Sequence, residues 1–425
     1  MFITFFIISY IVEIFFLMVK QYKTKAWDLL EPYFVFIFSF SLYMWTGYYY
    51  QVNIVSLDSN ASFIYGLCIL VTILFFNIGY IFTKPNNISK LNNYGLFLKP
   101  YSSKILTVIL LISLLILFLN FTKLKEVLGA FQIGGPSYLI YSIRPTRTAI
   151  TGPLALMQEY YMNIFVFVIC IFYFYFGKFN IVSLTLTILL IIYGVCRGDR
   201  ILLIFVIIVN LVFYNYHIKR ITLFKGTSCA VISLLLLIFI AHARKYNNMS
   251  DILDFLFTRQ LSDFSLFSIG ELTAGGKILS DYIMAIQHNE YMFDLGKSVV
   301  TDFIMFIPFF LFPNRPLPLA EQYMISFHPE ALAGTGMGYN ILCAPYLSYG
   351  LVGVAIQALL LGFLMKKSYV IYKKNANNLF ICFIYCIILT QIITLSRGSF
   401  GGALKNIFLL SLPFYIINIV LKKRF

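Results

Sequence analysis

Eight of this chain's ten arginines could share one chemistry: Arg144, Arg147, Arg197, Arg200, Arg244, Arg259, Arg315 and Arg397, several of them at the very ends of apolar stretches. A guanidinium is planar, permanently charged and forked, so it grips phosphate or carboxylate through two parallel hydrogen bonds where an ammonium offers only a point charge. Taken singly, an arginine so placed is more often an interfacial anchor or the partner of a nearby acid; Asp199 lies between Arg197 and Arg200, and Asp263 follows Arg259. Taken together, they point to a shared anionic ligand. Arg197-Gly198 and Arg397-Gly398 repeat one dipeptide, whose glycine either lets backbone approach a ligand or simply permits a turn.

Proton chemistry has fewer candidates. His328 stands in Ser326-Phe327-His328-Pro329-Glu330, where an imidazole could take a proton from a hydroxyl group; a surface histidine without a role is the bland alternative. Glu321 and Glu330 are weaker candidates of the same kind, and His242 and His288 share the region. No metal site is expected, because Asp251 and Asp254 share a helix face but lack a third ligand. Gly334-Thr335-Gly336-Met337-Gly338 lacks the lysine and hydroxyl residue of a phosphate-binding loop. The seven cysteines sit in or at the ends of apolar segments, with no spacing that indicates a metal or a disulfide.

The elements that must position these groups are membrane helices. The chain has 425 residues, 60% of them hydrophobic and only 12% charged, with a mean hydropathy of +0.86. That length accommodates about a dozen spans of roughly 20 residues. The net charge of +15 resides in short loops rather than in a soluble basic surface, which argues for anionic lipid and against nucleic acid as the partner. Met1 to Val19 lacks a basic leader and a small-residue cleavage site and reads as a retained span.

Apolar runs predict an all-α polytopic membrane domain over 1–425, with eleven spans near residues 2–19, 32–50, 62–82, 105–121, 156–176, 181–196, 201–216, 227–241, 339–365, 379–395 and 403–421. Lysines cluster in alternate loops: Lys20, Lys23 and Lys25; Lys84, Lys90, Lys99 and Lys104; Lys366, Lys367, Lys373 and Lys374. Positive charge favours the cytoplasm, which sets the N-terminus outside, the C-terminus inside and sixteen of the twenty-two lysines inside. The eight arginines then lie outside, against the trend. Two outer loops are long, 122–155 and 242–338, and loops of that length usually carry function. Within the second, Asp251 to Gln260 reads as an interfacial helix, and Phe303 to Phe312 as a re-entrant or surface-lying segment broken by prolines. Glu13, inside the first span, must face the bundle, most simply as a paired structural group.

This pattern resembles the Wzy family of O-antigen and capsule repeat-unit polymerases. Arg259 to Gly270 fits an Arg-x10-Gly spacing associated with that family's outer loops. Cys196-Arg197-Gly198-Asp199-Arg200 is similar to its turn between two central spans, and Gly336-Met337-Gly338 with Pro345-Tyr346-Leu347-Ser348-Tyr349-Gly350 is similar to its late Gly-rich and Tyr-x-x-x-Gly region. The earlier outer loop has no second Arg-x10-Gly, and Ala344 stands before Pro345 where an acid is expected. Asp58 is the only acid of the first outer loop, a place where many lipid-linked glycosyltransferases carry one.

The resemblance implies a GT-C-like glycosyltransferase of the bacterial plasma membrane, joining undecaprenyl-diphosphate-linked oligosaccharides at the outer face without a cofactor. It implies catalytic roles for His328, Arg259 and Arg315 and substrate-binding roles for Arg144, Arg147, Arg197, Arg200, Arg244 and Arg397. A flippase and a chain-length regulator would be its partners. An O-antigen ligase and a flippase or exporter of lipid-linked sugars remain open as alternatives.

Overall fold

The computed structural model describes residues 1–24, 28–83, 162–176, 181–197, 200–222, 270–307, 311–330, 338–376 and 378–423, with single positions at 129, 226 and 228. Among the described residues there are twelve α-helices, one π-helical turn at Tyr214–Ile218 and no strand. We number the helices α1 (Phe2–Thr24), α2 (Pro32–Asn53), α3 (Ser59–Phe82), α4 (Met162–Phe176), α5 (Ile181–Arg197), α6 (Arg200–Phe213), α7 (Gly270–Gln287), α8 (Lys297–Ile304), α9 (Leu319–Phe327), α10 (Cys343–Lys374), α11 (Leu379–Leu395) and α12 (Phe400–Lys423). Three described stretches are long and apolar enough to cross a membrane: Phe2–Tyr22, Ser59–Phe82 and Cys343–Lys374. Shorter apolar helical runs lie at Ile181–Gly194, Ile201–Phe213, Leu379–Leu395 and Phe400–Leu412. The expected spans at 105–121 and 227–241 lie outside the described residues. Exposed Ile3, Phe6, Ile7, Tyr10, Ile11, Phe15 and Met18 give α1 a face that lipid solvates and water would not.

The chain forms two compact units. The first comprises Met1–Ile88, Leu266–Lys373 and Gln391–Phe408. Its core is aromatic: Tyr33, Phe36, Phe40, Phe76 and Tyr80 are fully or almost fully buried, with Phe36 and Phe76 centroids 4.2 Å apart. Small residues bring α3 and α10 together. A Cβ on Gly79 would lie 2.2 Å from the Leu359 carbonyl oxygen, and one on Gly362 would lie 2.2 Å from that of Phe76, so only glycine permits this crossing.

One end of this unit holds a buried charge cluster. Lys20 Nζ lies 2.7 Å from Glu31 Oε2 and Lys366 Nζ lies 3.3 Å from Oε1, all three groups being buried. Tyr80 donates its hydroxyl to Glu31 as well. Beside it, Lys373 pairs with Asp28 at 3.0 Å and Tyr369 donates to Asp28 at 2.8 Å. Within α1, Glu13 is satisfied as expected: Asn77 Nδ2 donates to it at 3.0 Å, and the Tyr33 hydroxyl stands at the same distance.

At the other end, α7 lies alongside the second half of α2. Gly276 sits on Gly47, where a Cβ would come within 2.7 Å of the Gly47 Cα, and Ser280 donates to Gln51 at 3.2 Å, so the two helices run in the same direction. Buried Asn340 clamps the pair, its Nδ2 reaching the Gly275 carbonyl at 3.0 Å and the Met44 sulfur at 3.4 Å.

The expected span at 339–365 starts later and is broken. Residues 338–342 are not helical, and α10 is interrupted at Tyr349 and at Gly350, whose φ of +59° suits glycine. The Pro345 carbonyl oxygen consequently packs 2.2 Å from where a Gly353 Cβ would be. Asp294 fastens this break to the preceding loop, accepting from Ser348 Oγ at 3.0 Å and from the backbone of Gly296 and Ser298.

The second unit comprises Ser89–Ser265, Lys374–Thr390 and Leu409–Phe425. Phe167 of α4 and Phe205 of α6 converge on Phe383 of α11, with centroids 4.8 and 5.5 Å away. Cys170, Cys382 and Cys386 are buried there as free thiols, consistent with packing rather than chemistry.

Candidate active site

His328 terminates α9, its backbone N–H donating to the Met324 carbonyl at 2.8 Å. The helix is short and owes its place to rings. Tyr323 and Phe327 pack with Tyr282 of α7, at 5.6 and 5.3 Å, and Phe327 stacks on Tyr291 at 5.9 Å. The Tyr291 hydroxyl adds a 3.0 Å hydrogen bond to Ser326. This docking brings the imidazole against α7. Its Nε2 lies 3.3 Å from Lys277 Nζ and 3.4 Å from the Tyr323 hydroxyl, while Nδ1 faces Glu330 at 3.7 Å.

The Tyr323 hydroxyl donates to Asp281 Oδ2 at 2.6 Å, one helical turn from Lys277. Four groups that the sequence separates by up to 51 residues thus form a chain: Lys277, His328, Tyr323 and Asp281. Burial pushes the Asp281 carboxyl above its ordinary value, opposed by the Tyr323 hydrogen bond and the neighbouring charges. Burial pushes the Tyr323 phenol up too, reinforced by that carboxylate. Sequence reasoning missed Lys277, Asp281 and Tyr323.

Arg397 lies in the turn between α11 and α12 and hydrogen-bonds the Tyr43 side chain. Tyr43 is eleven residues into the 22-residue α2, so the guanidinium reaches half-way along that helix, about 16 Å from either end at 1.5 Å per residue. Gly338 packs on the arginine stem, where a Cβ would meet Cγ and Nε at 2.8 Å. Burial pushes the guanidinium down from its ordinary value, and the Tyr43 contact opposes that shift.

The turn is held from outside by Asp302 of α8, which is 4% exposed. Its Oδ2 accepts from the Gly401 backbone N–H at 2.7 Å, capping the first turn of α12 across 99 residues of sequence.

Arg315 has a different surrounding. Its Nη1 donates to the Ile307 carbonyl at 2.8 Å and its backbone N–H to that of Phe312, so it braces its own proline-rich loop. Arg197 closes α5 and Arg200 opens α6; Gly198 and Asp199 of the expected Arg-Gly turn lie outside the described residues. Arg144, Arg147, Arg244 and Arg259 lie outside the described residues, as do His242 and 331–337 of the glycine-rich stretch. His288 is exposed. Asp58 caps α3, accepting from the Asn60 N–H at 3.1 Å. Among the described residues, no group of three or more His, Cys, Asp or Glu could hold a metal ion.

A family model described as O-antigen polysaccharide polymerase Wzy matches residues 1–425, the whole chain. The chain belongs to the Wzy family. No curated protein and no solved structure is significantly similar to it. Membership makes it a membrane protein of polysaccharide biosynthesis, with glycosyltransferase-like polymerase chemistry. A Wzy polymerase works on oligosaccharide repeat units.

Proposed function

We propose that this Wzy protein polymerises undecaprenyl-diphosphate-linked oligosaccharide repeat units into O-antigen or capsular polysaccharide at the outer face of the plasma membrane. A hydroxyl oxygen of the incoming repeat unit bonds to the anomeric carbon of the growing chain. The bond from that carbon to the carrier diphosphate breaks, and the hydroxyl proton passes to a base, for which His328 is the candidate. Negative charge gathers on the departing diphosphate, where preorganised guanidinium groups stabilise it by about 2–4 kcal/mol each, by analogy with oxyanion donors.

The observation that carries this reading is the depth of Arg397. A guanidinium desolvated against Tyr43, half-way along α2, is costly and by default a functional candidate. Arg144, Arg147, Arg197, Arg200, Arg244, Arg259 and Arg315 are its proposed companions in gripping the donor or stabilising its departure. The flippase that supplies the donor and a chain-length regulator are the proposed partners.

Arg397→Lys tests the reading in proteoliposomes supplied with lipid-linked repeat units accumulated in a deletion strain. Lysine keeps the charge and loses the fork, so polymer formation should fall about 100-fold with unchanged protein content and unfolding temperature. Normal polymer length and amount would end the assignment of Arg397 to the diphosphate. The deletion strain itself should carry lipopolysaccharide capped by a single repeat; unmodified core with polymer left on its carrier would identify a ligase instead.

A further inference from the structure

Lys277 presents an arrangement that the reaction scheme above leaves unused. An ammonium has three donors and no acceptor. With Lys277 Nζ 3.3 Å from His328 Nε2, that nitrogen must present its lone pair to the lysine, leaving the ring proton on Nδ1, towards Glu330. Tyr323 does not compete for the lone pair, because its proton is committed to Asp281 at 2.6 Å. The lone pair that a general base would use is therefore occupied by Lys277.

The ammonium itself is poorly served. Among the described residues its hydrogen-bond partner is that single ring nitrogen, and Asp281 is near enough to feel its charge without forming an ion pair with it. It stands partly exposed on a helix fixed to α2 through Gly276 and Ser280. A firmly placed cation with uncommitted protons is a ready ligand for phosphate oxygens.

We propose that Lys277 keeps His328 covered until the donor arrives, then moves to the diphosphate and frees Nε2. The base is then exposed only when a leaving group is present. In the productive step the acceptor oxygen bonds to the anomeric carbon, the carbon–oxygen bond to diphosphate breaks with its electrons, and the hydroxyl proton goes to Nε2. Lys277 and the diphosphate are paired throughout. This inference rests on the polymerase reading, since it takes the donor to be a lipid diphosphate.

The test reads His328 directly. Diethyl pyrocarbonate acylates an accessible imidazole lone pair, and peptide mass spectrometry resolves His328 from exposed His288, the internal standard. With full-length protein in detergent, undecaprenyl diphosphate should accelerate His328 modification severalfold while His288 stays constant. Inorganic pyrophosphate, the same headgroup without its lipid, separates recognition of the anion from recognition of the carrier. Lys277→Met should be fast from the start and indifferent to ligand, and Lys277→Arg, which retains a cation, should keep the ligand response. A His328 rate in the parent that neither ligand raises, or a Lys277→Met rate equal to the parent's, would overturn the proposal. Polymer synthesis is scored in parallel: a parent that polymerises without any ligand effect on His328 refutes the lysine gate alone, whereas a parent that makes no polymer refutes the underlying reading.

Discussion

Glu31 is shared by two buried lysines, and that makes it the most consequential carboxylate in the first unit. Removing one partner of a buried ion pair leaves an uncompensated charge, at a cost of about 3–5 kcal/mol. Glu31→Gln should therefore lower the unfolding temperature of the purified protein sharply, whereas Glu290→Gln, at an exposed site, should leave it unchanged. Equal unfolding temperatures for the two variants would show that the cluster adds nothing. Sequence was informative here about type and poor about partnership. Glu13 had to face the bundle because lipid does not solvate a carboxylate, and it does. Lys20 and Lys366 read as loop charges, yet both are buried, because their partner is far away in sequence and no local pattern encodes that pairing. The same reason hid Lys277 and Tyr323, which acquire meaning only when α9 docks on α7.

Helix α12 is held at its start by a residue of another element. Asp302 accepts from Gly401, and burial pushes its carboxyl above the ordinary value, with the Gly401, Ser399, Gly402 and Phe400 donors opposing that shift. A carboxyl whose folded pKa is raised contributes stability that is fully present below the unfolded value, near 3.9, and lost as pH rises through the folded one. Above the folded value the buried charge is thus a burden, although the acceptor oxygen is useful. Asp302→Asn keeps an acceptor for Gly401 and discards the charge, so its unfolding temperature at neutral pH should match or exceed the parent's and depend less on pH above the ordinary carboxylate range. Asp302→Ala should lose about 1 kcal/mol through the vacated cap. Thermal unfolding across pH decides, and an Asn variant as unstable as the Ala variant would show that the charge itself is required. Element positions were largely legible: runs of about 20 apolar residues specify a helix wherever water is absent, and α1, α2, α3, α11 and α12 fall close to the expected spans. The break at Tyr349–Gly350 and the alignment of α7 with α2 were not, since the first lies inside a single expected span and the second depends on two glycines meeting across 229 residues.

Across the whole molecule, the alternating lysine loops propose one orientation, with the end of the first unit that carries Glu31 inside and the end that carries α7 to α9 outside. Cysteine labelling checks it. An impermeant maleimide added to intact cells should modify Glu290→Cys and spare Lys374→Cys, both exposed positions, while buried Cys68, Cys170, Cys343, Cys382 and Cys386 stay silent. Labelling of Lys374→Cys but not Glu290→Cys would invert the orientation and place His328 on the cytoplasmic side.

The Glu31 cluster also bears on how such a chain is made. In the proposed orientation, Lys20 and Lys366 steer their segments during insertion and are afterwards sealed beneath the helices they helped to orient. Biogenesis and final packing then draw on the same two ammonium groups, so a charge scan at these positions would conflate a misinserted chain with an unstable one. Lys367 and Lys374 remain at the surface, and neutralising them instead would weigh the steering contribution by itself.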